Sequence, residues 1–119
     1  MAAGDNKKRV AELKALRDRL NGAEHRKEYA LVVEACLEII ALDARAKPLN
    51  IMVFLYHKDL GEAYVKLHEY EKALSSLNTA RGGLLEYRAT QKLKFPEDWL
   101  HELKVIEKLI LKIETVYLR

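Results

Sequence analysis

The chain has little of the residues that cross-link proteins or interrupt helices. Its 119 residues include five glycines, two prolines and one cysteine, Cys36. A lone cysteine forms no internal disulfide, and no CxxC or Cys/His spacing accompanies it, which excludes a disulfide scaffold and argues against structural zinc. The composition favours a reducing compartment, so we expect an intracellular, cytoplasmic protein in which Cys36 is a small core residue.

Long apolar runs and a dominant charge are also missing. No segment approaches eighteen uncharged residues, and the polar residues 1–9 lack the apolar stretch of a secretory signal. Lys and Arg number 21 against 18 Asp and Glu, a net charge of +3 that is mixed along the chain. These absences predict neither a membrane span nor a nucleic-acid partner.

Catalytic motifs are absent as well. The sequence contains no glycine-rich phosphate loop, nucleophile elbow or plausible Ser/His/Asp set, and its four histidines fall on separate segments without HExxH. We therefore expect no enzyme activity, no cofactor and no metal site. A regulatory enzyme built on a helical scaffold is a weaker alternative for which no catalytic residue can be named.

Helix-forming residues fill the rest of the chain. Half of the residues are hydrophobic and a third are charged, with no alternation typical of strands, so we expect one all-α domain over residues 1–119. Asn21-Gly22 reads as a helix stop, Pro48 as a helix start, and Gly82-Gly83 as a kink or break. The predicted helices cover about residues 5–21, 24–43, 48–68, 70–92 and 97–118.

One stretch is more specific than the rest. It consists of Leu60-Gly61-Glu62-Ala63-Tyr64, then Tyr70-Glu71-Lys72-Ala73-Leu74, followed by Leu77 and Ala80. A glycine within a helix costs about 1 kcal/mol relative to alanine, so Gly61 indicates that a neighbouring helix comes close. Ala73 should be the matching small residue on that helix.

This series resembles a tetratricopeptide repeat, and residues 13–43 resemble a divergent first repeat. Tyr29 and Tyr70 lie 41 residues apart, whereas the usual period of the family is about 34 residues. The longer spacing is similar to that of the long-helix variety of the family. The resemblance implies antiparallel helix hairpins stacked as a short solenoid with a long C-terminal helix. It also implies a non-catalytic adaptor that binds a peptide or helix of another protein in a concave groove.

In the family, the first helix of each pair lines that groove. Carried onto this chain, the implied groove residues are Leu55, Lys58, Glu62, Val65 and Lys66. Their mixture of charged and apolar groups suits a peptide, although an ordinary solvated helix face would look the same. Some members also grip a C-terminal carboxylate; Arg17 and Asn21 match that clamp, Lys104 and Lys108 could complete it, and Asp59 stands in place of an asparagine and would repel the ligand.

The last predicted helix carries the alternative function. Its apolar residues recur at alternating intervals of four and three residues and so form one stripe, the seam, that could pack along another helix. The seam consists of Trp99, Leu103, Ile106, Ile110, Ile113 and Tyr117. Val105 and Leu109 add apolar surface beside the seam. The chain could thus be a structural subunit that forms a homo- or hetero-oligomer through this helix. Equally, the helix could fold back over the bundle and be buried within one molecule.

Overall fold

The protein folds as a succession of antiparallel helices. The computed structural model describes residues 3–45 and 51–119, and these ranges contain helices and no strand. The helices are α1 (Ala3–His25), α2 (Tyr29–Arg45), α3 (Val53–Lys66), α4 (Tyr70–Thr90) and α5 (Leu100–Lys112), which a π-helical turn continues over Ile113–Tyr117. Each helix packs against the next one along the chain. The predicted all-α class, with helices stacked in sequence order, is confirmed.

The two hairpin turns have the same backbone geometry. At the end of α1 the Glu28 N–H donates to the carbonyl of Ala23 at 2.9 Å, and at the end of α3 the Glu69 N–H donates to the carbonyl of Tyr64 at 2.9 Å. The residue before each donor, Lys27 or His68, has a left-handed φ of 57° or 61°. This arrangement satisfies the last carbonyls of a helix. It repeats at the 41-residue interval that the sequence shows.

The helix ends differ from those expected around the first turn. α1 continues through Asn21 and Gly22 to His25, and α2 begins at Tyr29 instead of residue 24. Gly22 stays helical because its carbonyl accepts the N–H of Arg26 at 3.0 Å, and Lys27 supplies the left-handed residue instead. The predicted start of the third helix at Pro48 lies outside the described residues.

The expected close approach of α3 and α4 is present. A Cβ built on Gly61 would lie 2.5 Å from Cγ of Leu77 and 3.3 Å from the carbonyl oxygen of Ala73. Both Leu77 and Ala73 are fully buried, so neither can move aside without disturbing the core. Gly61 therefore sets how closely the two helices pack.

The Gly82-Gly83 pair, expected to kink or break the helix, does not break it. α4 runs from Tyr70 to Thr90 without interruption. A Cβ on Gly83 would lie 3.1 Å from Cβ of Phe54, whereas one on Gly82 would meet nothing within 4 Å. Gly83 thus allows close packing against Phe54 of α3, and the helix continues through this pair of weak helix formers.

Two apolar clusters form the core. The first joins α1, α2 and α3, with buried side chains that include Leu20, Ile39 and Leu60. The second joins α3, α4, α5 and the π-helical turn, around Leu77 and Ile106. Tyr64 is half-buried and packs against both clusters. No helix in the described ranges has both the length and the apolar character needed to cross a bilayer.

The connection from α4 to α5 is fixed by one arginine and one tryptophan. Arg88 donates hydrogen bonds to the carbonyl of Pro96 at 3.1 Å and to that of Asp98. Trp99 follows with a φ of 71° and sets its ring edge-on to Phe54, with 5.9 Å between centroids. α5 consequently starts at Leu100, three residues after the expected position.

Candidate partner-binding groove

The helices α1 and α3 face each other along a groove, which we call the α1–α3 groove. On α1 it is edged by Arg17 and Glu24, and on α3 by Tyr56 and Asp59, because each pair lies on one side of its helix. The charge of Arg17 acts on Tyr56, and the charge of Glu24 acts on Asp59. The groove is therefore basic towards its Arg17 end and acidic towards its Glu24 end.

A small pocket of about 190 Å³ opens at the acidic end of the groove. It lies where the end of α1, the start of α2 and the middle of α3 meet. Its walls combine acidic, basic, aromatic and aliphatic side chains, contributed by Glu24, Tyr29, Val32, Asp59, Glu62, Ala63 and Lys66. Such a mixture can hold one charged side chain of a ligand by its head group and by its aliphatic stem.

Asp59 is the electrostatic centre of this pocket. Burial first, and then the charges of Glu24 and Glu62, raise its pKa from 3.8 to about 7, while Lys58 acts in the opposite direction. Burial likewise raises the pKa of Glu24. Lys58 pairs with Glu62 at 3.6 Å, and in the described residues no ion pair or hydrogen bond engages the Asp59 carboxylate. A cation that entered the pocket would relieve this repulsion.

The acidic side chains do not form a metal site. Within residues 3–45 and 51–119 no three or more His, Cys, Asp or Glu side chains converge as they would around a metal ion. Mg²⁺ and Ca²⁺ need several oxygen ligands directed at one point.

The groove residues implied by the resemblance fall into two groups. Lys58, Glu62 and Lys66 lie at or beside the pocket, whereas Leu55 and Val65 are half-buried and pack against the second core cluster. The two apolar residues thus support the contact of α3 with the C-terminal part of the molecule. Of the charged three, Lys58 and Glu62 pair with each other at 3.6 Å, and Lys66 is exposed.

Arg17 and Asn21 are exposed on α1, where they line a shallow pocket of about 260 Å³. Both residues lie on the face of α1 that the resemblance implies. The charges around that face, however, do not suit the binding of a carboxylate. Asp59 occupies the position of the second asparagine and stands beside Glu24 and Glu62. A partner's carboxylate would meet three acidic groups there, so the geometry favours a cationic ligand.

The apolar seam of the last helix faces inward. Its central residues Leu103, Ile106, Ile110 and Ile113 are buried in the second core cluster, and Leu109 packs against that cluster. At its two ends Trp99 rests on Phe54 and Tyr87, and Tyr117 stacks on Tyr70 with 4.2 Å between ring centroids. Val105 is half-buried. In this fold the seam packs within one molecule, as the second of the two sequence interpretations expects.

A larger cleft, of about 700 Å³, was not anticipated from the sequence. It lies between the ends of α2 and α4 and the start of α3, and its walls include Met52, Phe54, His57, Gly83 and Tyr87. Burial lowers the pKa of His57. Two residues of the sequence could have indicated this cleft: His57, which stands where the resemblance implies a large aromatic side chain, and Gly83.

Comparison with known proteins identifies no relative of this chain. No protein-family model, no curated protein and no solved structure matches it. The all-α fold stands on the helices and their packing, and the tetratricopeptide-like resemblance stays a prediction that rests on the residues quoted above.

Proposed function

We propose that the protein is a non-catalytic adaptor that holds a segment of a partner protein in the α1–α3 groove. The observation that carries this proposal is the half-buried Asp59, which lies in an open pocket beside two acidic neighbours and forms no ion pair with any cation of the described residues. An ionised Asp59 carboxylate beside two acidic groups raises the free energy of the unbound protein. A ligand that neutralises it converts this unfavourable interaction into binding free energy.

The partner segment should present a lysine or arginine at the pocket and a polar or acidic group towards Arg17. A long basic side chain fits because its stem can contact Val32 and Ala63 while its head group reaches the acidic side chains. Lys58 and Lys66 flank the site and disfavour a segment with several adjacent basic residues. The groove thus selects charge order as well as charge sign.

A cytoplasmic site of action fits this proposal. Cys36 is a buried free thiol, and burial raises its pKa well above the ordinary range, so the thiol stays protonated and unreactive. A role as a structural subunit joined through the last helix receives less support, because the seam that suggested it lies in the core.

The proposal can be tested by selecting peptides from a random phage-displayed library on the immobilised protein. We expect enrichment of peptides that contain Lys or Arg and bind with a Kd on the order of 10 μM. Combined neutralisation by Glu24→Gln and Glu62→Gln should weaken their binding by about tenfold or more, since both carboxylates lie at the pocket.

The matched control is Glu107→Gln with Glu114→Gln, which removes two exposed carboxylates from the other end of the molecule. This control should leave the affinity of the selected peptides unchanged. Peptides that bind equally well to the Glu24→Gln/Glu62→Gln protein would refute the groove as the binding site.

A further inference from the structure

The cleft between the ends of α2 and α4 and the start of α3 has the size of a ligand site. Its volume of about 700 Å³ lies within the range of pockets that enclose small organic molecules, about 300–1,000 Å³. One wall is a single face of α4, where Thr79, Gly83, Glu86 and Thr90 recur at intervals of three and four residues. This cleft, which we call the α4 cleft, shares no residue with the pocket of the α1–α3 groove.

The wall of the α4 cleft that faces α4 is apolar and is fixed by the core. Phe54 is 6% exposed, and its ring centre lies 5.5 Å from that of Tyr87 and 5.9 Å from that of Trp99. Met52 and Val53 add aliphatic surface beside it. Because Phe54 packs in the second core cluster, this wall does not have to rearrange to receive an apolar group.

The two threonine hydroxyl groups of the α4 wall can act towards a ligand only as hydrogen-bond acceptors. Thr79 donates its hydroxyl proton to the carbonyl of Ser75 at 3.0 Å, and Thr90 donates its own to the carbonyl of Glu86 at 2.8 Å. Each hydroxyl group has thus used its one proton within α4, and only the lone pairs of its oxygen remain. The α4 wall therefore favours a ligand that donates hydrogen bonds.

The charge along the α4 cleft is negative. The described residues that line it include no lysine or arginine, and burial lowers the pKa of His57, so that its imidazole is uncharged at neutral pH. The carboxylate of Glu86 is exposed and forms no ion pair within the described part of the chain. Asp43, the other acidic residue of the cleft, is engaged within the molecule. In the α1–α3 groove, by contrast, Lys58 and Lys66 accompany the acidic side chains.

From this combination we propose that the α4 cleft binds a small organic amine that has an apolar body and one ammonium group. The body lies against Phe54 and Met52, and the ammonium donates hydrogen bonds to the carboxylate of Glu86 and the hydroxyl oxygen of Thr90. Glu86 and Thr90 are one helical turn apart on α4, about 6 Å along its axis, so one ammonium group can reach both. The site uses none of the residues on which the adaptor role depends.

The test compares three probes that share one apolar body and differ in their head group: 4-phenylbutylamine, 4-phenylbutanol and 4-phenylbutyrate. Trp99 is the only tryptophan of the chain and sets its ring edge-on to both Phe54 and Tyr87, so its fluorescence reports on occupation of the cleft. We expect the amine to bind saturably with a Kd on the order of 1 mM. The alcohol should bind about fivefold more weakly, and the carboxylate more weakly still.

Two variants at exposed positions of α4 locate the site. Glu86→Gln should weaken binding of the amine about fivefold, to the level of the alcohol, and should leave binding of the alcohol unchanged. Thr79→Phe places a ring in the cleft and should weaken binding of all three probes at least about tenfold. The matched control is Glu71→Gln, which removes an exposed carboxylate of α4 that does not line the cleft. It should bind the amine like the wild type.

Three results would each overturn the proposal: no saturable binding of the amine up to about 10 mM, equal affinities for the three probes, or an unchanged affinity for the amine in either cleft variant. Circular dichroism of each variant excludes unfolding as the cause of lost binding. The selection of peptides on the α1–α3 groove is a separate measurement on separate residues, so the adaptor role and the amine site can fail independently.

Discussion

Gly61 and Gly82 both lie within helices, but their surroundings are opposite. A methyl group at Gly61 would meet the buried side chain of Leu77 at 2.5 Å, and one at Gly82 would meet nothing within 4 Å. We expect Gly61→Ala to destabilise the fold by about 1–3 kcal/mol through overpacking, and Gly82→Ala to stabilise it by about 0.5–1 kcal/mol through helix propensity. Urea denaturation measures both changes. An equal effect of the two substitutions would contradict the close contact of α3 and α4.

The glycines also show how far the packing around a single residue can be predicted from the sequence. Gly61 was interpretable from the sequence because a matching small residue, Ala73, occurs where the next helix must pass. Gly83 was interpreted together with Gly82 as a kink or break, and the break is absent; the sequence does not disclose that Phe54 from another helix comes within contact distance of Gly83. The first case depends on small residues at a recognisable spacing in the sequence, and the second depends on a tertiary contact that no sequence spacing indicates.

Asp59 should make stability depend on pH. Its pKa is raised from 3.8 to about 7 in the folded protein, so between these values the folded state binds more protons at this group than the unfolded state does. Its contribution to the free energy of unfolding therefore falls as the pH rises from about 4 to about 7. Glu24 acts in the same direction, and burial of His57 acts in the opposite one because it lowers that pKa.

The substitution Asp59→Asn isolates this contribution. We expect the variant and the wild type to be about equally stable near pH 4, and the variant to be more stable by about 1 kcal/mol at pH 8, after allowance for partial exposure. Urea denaturation across this pH range provides the measurement, with the exposed Asp18→Asn as the control. A stability difference that does not grow with pH would show that Asp59 is not in the repulsive environment described.

At the scale of the elements, α5 is held by its inward face. Ile106 is 1% exposed in the second core cluster, whereas Leu111 is 60% exposed on the same helix. Ile106→Glu should unfold the protein or destabilise it by about 4 kcal/mol or more, and Leu111→Glu should change its stability by less than about 0.5 kcal/mol. Circular dichroism and size-exclusion chromatography distinguish the two. A folded Ile106→Glu protein that merely loses a partner would restore the oligomer interpretation of the seam.

The helices themselves were predictable, and their ends less so. Apolar spacing of three and four residues identified all five helices, because that spacing is what a buried helix face requires. The end of α1 was placed at Asn21-Gly22, since glycine is the usual left-handed residue after a helix. Lys27 and His68 fill this role here, and no local signal distinguishes them from other polar residues. The resemblance predicts binding residues on α3, but the acidic character around Asp59 depends on which side of α1 faces α3.

The whole molecule is elongated. Its principal extents are 51 × 35 × 22 Å, and its Cα radius of gyration is 15.3 Å; a compact globule of this length would have about 13.5 Å. Small-angle X-ray scattering at low concentration and high salt should therefore give a value of at least about 15 Å for the monomer. A radius near 13 Å would contradict the stacked arrangement of the helices.

The packing of each helix against its neighbour in sequence has a kinetic consequence. Most stabilising contacts join residues from adjoining helices, so the contact order of the chain is low and little loop-closure entropy opposes the search for the native state. We expect refolding within milliseconds. The α1–α2 hairpin has its own closing hydrogen bonds and much of the first apolar cluster, so it can begin to fold on the ribosome before α5 has been translated.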